Sequence, residues 1–225
     1  MSGAGDTAEG TVEDRGEIDA RLRARHGWLP YKLLAGAALA GCAVVLLCDV
    51  AMWFLVEGYD PLGQTISELA AGPHHWLQDG GILVFVLGVL ALTVGLVLRG
   101  TSDALSWAVR AGFVLLAIDV ALIALWNEYG DGRPGGVEIH MYCVGALYVL
   151  VGFLLWFGPS VPPARGEGIA KVAKGVAVAW IVAAPLFYAV PDSIDGAYER
   201  MLAIVMVGAV AIAAYQLYRR PAKDN

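Results

Sequence analysis

Six long apolar segments dominate the pattern of hydrophobic and polar positions along this chain. They cover residues 31–56, 76–98, 105–126, 140–158, 169–190 and 198–218. About 20 consecutive apolar residues form a helix that crosses a bilayer, and lipid offers no hydrogen-bond partners to an open backbone. The pattern therefore predicts an all-α integral membrane protein, built as a bundle of six transmembrane helices.

Polar stretches flank this region. Residues 1–29 are rich in Gly, Ala, Asp, Glu and Arg, and such a composition cannot offset the entropy of ordering. We expect a disordered tail over 1–29, a transmembrane domain over 30–219 and a second tail over 220–225. A surface helix over 17–26 is an alternative, although a basic cluster that orients the first span is the simpler interpretation.

The amino-acid composition fits a membrane protein and argues against a nucleic-acid-binding protein. Hydrophobic residues make up 58% of the chain and charged residues 16%, which is typical of a membrane-embedded protein. The formal charge of −6 and the pI near 5.1 do not fit a nucleic-acid-binding protein, which needs a concentrated basic face. We expect membrane lipids, and no nucleic acid, as partners.

The basic residues predict the orientation of the bundle. Lys and Arg beside spans are retained in the cytoplasm. If the N-terminus lies inside, every Lys and Arg except Arg133 and Arg200 falls at the cytoplasmic ends of the spans. We therefore expect a multi-pass protein of the cell membrane with both termini in the cytoplasm.

Small residues recur along the predicted spans, where they allow helix backbones to approach closely. We expect them to pack helices within the bundle rather than to form a dimer interface. They are Ala37 and Gly41, the pair Gly88 and Gly95, the pair Gly145 and Gly152, and the run from Gly208 to Ala214.

The predicted outer face is acidic and carries three of the four histidines, His74, His75 and His140. Such a face attracts metal ions, amines or protons. Solvated loop residues, kept acidic because basic ones would disturb the topology, are the alternative. The carboxylates are those of Glu57, Asp60, Glu68, Asp79, Glu128, Asp131, Glu138, Asp192, Asp195 and Glu199.

Two carboxylates lie inside spans. Asp49 precedes Val56 by seven residues, and Asp119 precedes Trp126 by seven, so both should lie roughly 10 Å below the outer boundary. Ionisable residues at that depth are candidates for ligand or proton binding. We expect both to border one outward-opening cavity; the alternative is that each is a protonated acid bonded to a neighbouring helix.

The first outer loop predicts a short amphipathic helix. Thr65 and Glu68 have the spacing of a capping box, and Gly72-Pro73 would end the helix at about Ala71. Ser67 and Glu68 are candidate ligand-binding residues on it. The loop would also bring His74 and His75 to the mouth of the second span.

His140 opens the fourth span, with Cys143 on the same helical face. Imidazole and thiolate are ligands for a zinc-like divalent ion, so that His74, His75, His140 and Cys143 are candidate metal ligands. The pattern is weak because no motif fixes two ligands on one helical turn. His140 is also a candidate for ligand or proton binding, together with Glu128.

The first outer loop resembles part of a known protein family. The stretch Thr-Ile-Ser-Glu-Leu-Ala (65–70), then Gly72-Pro73 and Trp-Leu-Gln (76–78), resembles the bacterial membrane family catalogued as domain of unknown function 998. A histidine that opens the fourth span, here His140, also matches. The resemblance covers roughly residues 32–219 and implies six helices in a bacterial cytoplasmic membrane; it implies no activity.

The chain departs from that family after the third span. The family often has a Phe-Pro-x-Asp-like turn there, whereas this chain has Trp126-Asn127-Glu128-Tyr129-Gly130-Asp131. Either Glu128 or Asp131 could take the place of the family's acid.

Three functions fit these residues. The first is a protein whose outward pocket binds or transports a lipid headgroup, a cation or a small amphiphile, through Asp49, Asp119 and the Ser67-Glu68 loop. The second is a metal-dependent hydrolase, in which His140 and His74 or His75 would hold the ion. The third is an assembly subunit without a ligand.

Overall fold

The computed structural model describes residues 6–100, 103–126, 136–161 and 167–219, and no β-strand occurs in these ranges. Short 3-10 turns at Gly158–Ser160 and Phe187–Ala189 extend the fifth and sixth α-helices. The α-helices are α1 (Asp6–Leu55), α2 (Ile66–Ala71), α3 (His75–Leu98), α4 (Ala104–Leu125), α5 (Gly136–Phe157), α6 (Glu167–Leu186) and α7 (Asp195–Arg219).

Six segments are long and apolar enough to cross a membrane, which confirms the predicted six-helix bundle and makes the chain a multi-pass membrane protein. Each begins and ends within a few residues of its predicted position. The segments are Leu29–Leu55, His75–Leu98, Ala104–Leu125, Ile139–Ser160, Glu167–Ala189 and Asp195–Arg219.

Helix α1 extends well before its span. Its backbone is helical from Asp6, whereas the sequence predicted a disordered tail over residues 1–29. Ala, Glu and Arg, which are frequent there, are good helix formers, and a helix that already exists gains one hydrogen bond for each residue added. Residues 220–225, predicted as the second tail, lie outside the described residues.

The outer surface of the bundle is apolar, unlike that of a soluble protein, although the core is also mainly apolar. Large apolar side chains point outwards, with Phe54 exposed over 83% of its surface and Leu87 over 65%. Polar side chains lie inside, where other helices can satisfy them. The buried polar residues are Asp49, Thr65, Gln78, Thr93, Ser106, Arg110, Asp119, His140 and Arg200.

Close packing of α1 against α3 depends on glycine. A Cβ atom added at Gly41 would lie 2.9 Å from the Val84 carbonyl oxygen and 3.3 Å from the Cα of Gly88. One added at Gly95 would meet Leu217 of α7. The predicted internal packing is thus confirmed at these glycines.

Two other glycines of the predicted set behave differently. Among the described residues, no neighbouring atom lies within 4 Å of the Cβ position at Gly145 or Gly208, so neither glycine marks a close contact between two described backbones.

Helix α7 contacts α1 and α3 on one side and α5 and α6 on the other. Helix α1 packs against α3 and α7, while α4, α5 and α6 follow α3 in sequence order around the bundle. The Tyr198 hydroxyl of α7 donates to the Ala183 carbonyl of α6 at 2.8 Å. We call the end of the bundle formed by residues 56–74, Trp126 and residues 190–194 the α2 end.

The contact between α1 and α3 can be tested with two glycines on α1. Gly41→Val should lower the free energy of unfolding by about 1–3 kcal/mol, because the added methyl groups force the backbones apart. Gly36→Val is the matched control, since no neighbour in the described part of the chain lies within 4 Å of its Cβ position. Denaturant unfolding in detergent measures both. Equal losses in the two variants would contradict a tight contact at Gly41.

Candidate functional site

The loop before α2 is held in shape by its own hydrogen bonds. The Asp60 amide donates to Gln64 Oε1 at 2.8 Å, and the Leu62 amide donates to Asp60 Oδ1 at 3.0 Å. The Ala197 amide of α7 donates to the Leu62 carbonyl at 2.9 Å. These bonds fix the loop as a turn that lies on the first residues of α7.

Helix α2 has the predicted capping box. The Glu68 amide donates to Thr65 Oγ1 at 3.1 Å, and the Thr65 amide donates to Glu68 Oε2 at 2.9 Å. The buried side chain of Leu69 anchors the helix in the bundle. The capping box satisfies two amides at the helix start, and so it stabilises α2 although the helix has only six residues.

A buried ion pair joins α1 to α7. Arg200 Nε lies 3.0 Å from Asp49 Oδ2, and one terminal nitrogen of Arg200 lies 3.1 Å from Oδ1. Arg200 is 8% exposed and Asp49 9% exposed. A bidentate pair of this kind allows both groups to stay charged away from water.

The rest of the guanidinium binds the loop. Its second terminal nitrogen donates to the carbonyls of Pro61, Gln64 and Gly196 at 3.1, 2.9 and 3.0 Å. The nitrogen that binds Asp49 Oδ1 also donates to the Tyr59 hydroxyl. An arginine has five N–H donors, and all of them are therefore occupied.

Tyr59 completes this arrangement as a neutral phenol. Burial raises the pKa of Tyr59 to about 12, although the positive charge of Arg200 opposes the shift. Its hydroxyl donates to the Gln64 carbonyl at 2.9 Å. Arg200, Asp49, Tyr59 and the three carbonyls form a unit that we call the Arg200 clasp.

The clasp needs a glycine at position 196. A Cβ atom there would lie 2.1 Å from the Gln64 carbonyl oxygen, a distance at which atoms overlap. Because Gly196 has no side chain, the loop comes close enough for its carbonyls to reach Arg200.

Ser67 lies between an imidazole and a carboxylate. Its Oγ is 3.4 Å from His140 Nε2 and 3.3 Å from Glu199 Oε1. His140 Nδ1 donates to the Trp126 carbonyl at 2.9 Å. The other oxygen of Glu199 accepts from the Ile66 amide at 2.5 Å, which ties the start of α2 to α7.

These groups face a cavity of about 1050 Å³, which we call the α2-end cavity. Its polar part includes Ser67, His140, Glu199 and the Asp49–Arg200 pair of the clasp, and its aromatic wall includes Tyr148, Trp180 and Tyr188. Its volume is at the upper end of the range of about 300–1,000 Å³ for ligand pockets.

The lining of this cavity has an excess of acceptors. Among the described residues, the lining has four acidic side chains and, apart from His140, one basic side chain, that of Arg200. The acidic residues are Asp49, Asp192, Asp195 and Glu199. Gln78 Oε1 and Asp195 Oδ1 are buried without a hydrogen-bond partner in the described part of the chain. Gln78 is 1% exposed. Buried acceptors of this kind favour a ligand that donates hydrogen bonds.

A second cavity of about 600 Å³ lies in the other half of the bundle, between α3 to α6 and α7. Its lining is nearly all apolar and includes Phe113, Leu154, Val176 and Gly208. We call it the apolar cavity. It shares Ile204, Val205 and Met206 of α7 with the α2-end cavity.

The two intramembrane carboxylates have different surroundings. Asp49 borders the α2-end cavity, although Arg200 binds both of its oxygens. Asp119 does not line this cavity among the described residues; it is buried next to Cys143. The expectation of one shared cavity was therefore wrong for Asp119. Its neighbour Val120 takes the position on the lining because successive helical residues point in directions about 100° apart.

The candidate metal ligands do not converge. His75 Nδ1 pairs with Asp79 Oδ2 at 3.1 Å, one helical turn along α3, and His74 is the N-cap residue of α3. Cys143 lies next to Asp119, while His140 contacts Ser67 and Trp126. No group of three or more candidate ligands occurs in the described ranges. The zinc-like ion stays a prediction.

The other two predicted site residues have separate outcomes. Glu68 is used in the capping box and does not line the α2-end cavity among the described residues. Glu128 lies outside the described residues.

Sequence reasoning missed Glu199 and Arg200 as site residues. Arg200 stood out as one of two basic residues on the predicted outer face, and it begins an apolar segment. An arginine at such a place needs a buried acid as its partner, and Asp49 was predicted to lie inside a span. That combination could have suggested the pair.

Comparisons with known proteins identify a family. The model of the family described as "Protein of unknown function (DUF998)" matches residues 39–216, and the chain therefore belongs to it. No curated protein and no solved structure matches the chain.

The Arg200 clasp makes a prediction for stability. Arg200→Gln leaves the Asp49 carboxylate buried without a counter-ion, and we expect the free energy of unfolding to fall by about 3–5 kcal/mol. The double variant Asp49→Asn/Arg200→Gln removes both charges and should recover part of that loss. Denaturant unfolding in detergent gives the coupling free energy between the two sites.

The matched control lies on the same helix. Arg219→Gln changes an exposed arginine at the other end of α7, and the effect should be within about 0.5 kcal/mol. Single-variant losses at Asp49 and Arg200 that simply add in the double variant would contradict the ion pair.

Proposed function

We propose that this member of the DUF998 family binds a membrane lipid or a similar amphiphile, with its headgroup in the α2-end cavity and its chain in the apolar cavity. One observation carries the proposal: the two cavities share Ile204, Val205 and Met206, and only the α2-end cavity has a cluster of polar side chains among the described residues. An amphiphile has the same division into a polar end and an apolar end.

The polar cluster indicates the class of headgroup. Arg200, the charged base in the described lining, has every N–H occupied, so it would have to break existing bonds to hold a phosphate or carboxylate. The unpartnered oxygens of Gln78 and Asp195 can accept new hydrogen bonds. Carboxylates and aromatic rings in the same lining also favour an ammonium group. We therefore propose a headgroup with hydroxyl or amine donors.

The α2 end, in this proposal, faces the outside of the cell membrane and both termini lie in the cytoplasm. The distribution of Lys and Arg supports this orientation, since the described residues of the α2 end contain no Lys or Arg and Arg200 of α7 is the one that binds there. The headgroup would then come from the outer leaflet.

Filling the apolar cavity should weaken binding. Gly208 lines this cavity, and no atom of the described residues around it lies within 4 Å of its Cβ position, so Gly208→Leu has room for its Cβ and takes up space in the cavity. We expect the affinity for a pyrene-labelled alkylamine, followed by fluorescence titration in detergent, to fall about tenfold, or by about 1.4 kcal/mol.

Gly175→Leu is the matched control. Gly175 has the same open surroundings but lies exposed on α6, away from both cavities. It should bind as the wild type does. A pyrene-labelled alkyl phosphate should bind more weakly than the amine. The proposal would be contradicted by equal affinities in Gly208→Leu and wild type.

The orientation can be tested with two serines. Ser193→Cys lies exposed at the α2 end, and Ser160→Cys lies exposed at the opposite end. We expect a membrane-impermeant maleimide added to intact cells to label Ser193→Cys and not Ser160→Cys. The wild type controls for Cys42, Cys48 and Cys143, of which the first and third are buried. Labelling of Ser160→Cys alone would reverse the orientation.

A further inference from the structure

We propose that Ser67 and His140 act as nucleophile and general base in the cleavage of an acyl ester bound in the α2-end cavity. This inference rests on the proposed amphiphile site and adds a reaction to it. The substrate class is an acyl ester of a hydroxyl- or amine-bearing headgroup, with its acyl chain directed towards the apolar cavity.

The contact between the two side chains carries the proposal. Ser67 Oγ lies 3.4 Å from His140 Nε2, and both residues line the α2-end cavity. A serine next to a histidine whose other ring nitrogen is held by a third group is the general arrangement of an activated nucleophile. Such contacts are often long without substrate and shorten when it binds.

The bond from His140 to Trp126 determines which ring nitrogen can act as a base. A carbonyl oxygen only accepts hydrogen bonds, so Nδ1 must carry the proton in the 2.9 Å contact with Trp126. In the neutral ring Nε2 then has a lone pair, and it is the nitrogen that faces Ser67. His140 is 3% exposed, which protects this geometry from water.

Ser67 is also held in place from several directions. The capping box stabilises α2, and Glu199 binds both the Ile66 amide and Ser67 Oγ. The Arg200 clasp fixes the loop that leads into α2. Rigid placement of a nucleophile contributes to the rate because the reacting atoms need no further ordering.

Glu199 is a positioning residue in this arrangement. Ser67 has one hydroxyl proton and faces two acceptors, Glu199 Oε1 at 3.3 Å and His140 Nε2 at 3.4 Å. The carboxylate orients the serine before the substrate binds, and the imidazole receives the proton when the serine attacks.

The reaction balances with water as the second reactant. Ser67 Oγ forms a bond to the ester carbonyl carbon while its proton moves to His140 Nε2. The bond from carbon to the alcohol oxygen breaks, and that oxygen takes the proton from Nε2. Water then attacks the acyl-serine, gives one proton to Nε2 and releases the fatty acid, and Ser67 Oγ regains the proton.

A serine-directed probe tests the nucleophile. We expect a hexadecyl fluorophosphonate to form one adduct on the purified full-length protein, and peptide mass spectrometry to place it on Ser67. Ser67→Ala should form none. His140→Asn should react about 100-fold or more slowly, the contribution typical of a general base. Hydrolysis of nitrophenyl decanoate should follow the same order.

Ser193→Ala is the control: it removes an exposed serine at the same end and should react as the wild type does. Glu199→Gln keeps the shape of the positioning residue and should react more slowly than the wild type but faster than His140→Asn. Loss of labelling in Glu199→Gln with full labelling in His140→Asn would overturn the choice of base. Thermal unfolding of each variant shows whether it is folded.

Binding separates this inference from the proposed function. Ser193→Ala, whose serine lies outside the lining of the cavity, should bind the pyrene-labelled alkylamine as the wild type does. A wild type that binds the amine but forms no adduct on Ser67 would overturn the reaction and leave the amphiphile site standing. A wild type that binds no amine would overturn the site itself.

Discussion

A guanidinium inside a membrane bundle is stable only when its charge and its N–H groups all have partners, and the α2 end is built around that requirement. Arg200 is paired with Asp49 of α1 and also bound by three carbonyls and Tyr59. One side chain thereby fixes the loop against two helices. Without it, Asp49 would lose the partner that binds both of its carboxylate oxygens.

The position of Ser67 follows from this constraint. The clasp holds the Gln64 carbonyl, and Thr65 then begins α2 with the capping box. Glu199, the residue before Arg200, binds the first amide of α2. Two adjacent residues of α7 therefore bind different parts of this segment: Arg200 binds the loop, and Glu199 binds the start of the helix that places Ser67 beside His140. Because both residues lie on one turn of α7, the loop and α2 are held against the same helix.

The cavities arise from the unequal packing of α7. Glycines allow α1 and α3 to approach closely, and α7 packs against α1. Less of α7 is in contact with α5 and α6, and the two cavities occupy that side. Gly208 was expected to bring helices together, yet it borders open space. A small residue allows two helix backbones to approach closely, but the contact forms only where a second helix packs at that position.

The sequence by itself determined the spans, the short helix α2 and its capping box, because hydrophobic length and cap spacing are local properties that need no distant partner. It also identified Asp49, Ser67 and His140 as unusual residues. Their partners were decided by the tertiary structure: Asp49 meets Arg200 across 151 positions, and Ser67 meets Glu199 across 132. Which residues of two helices meet depends on how each helix is rotated about its axis and how far it is shifted along the bundle. The hydrophobic pattern of the separate segments does not contain that information.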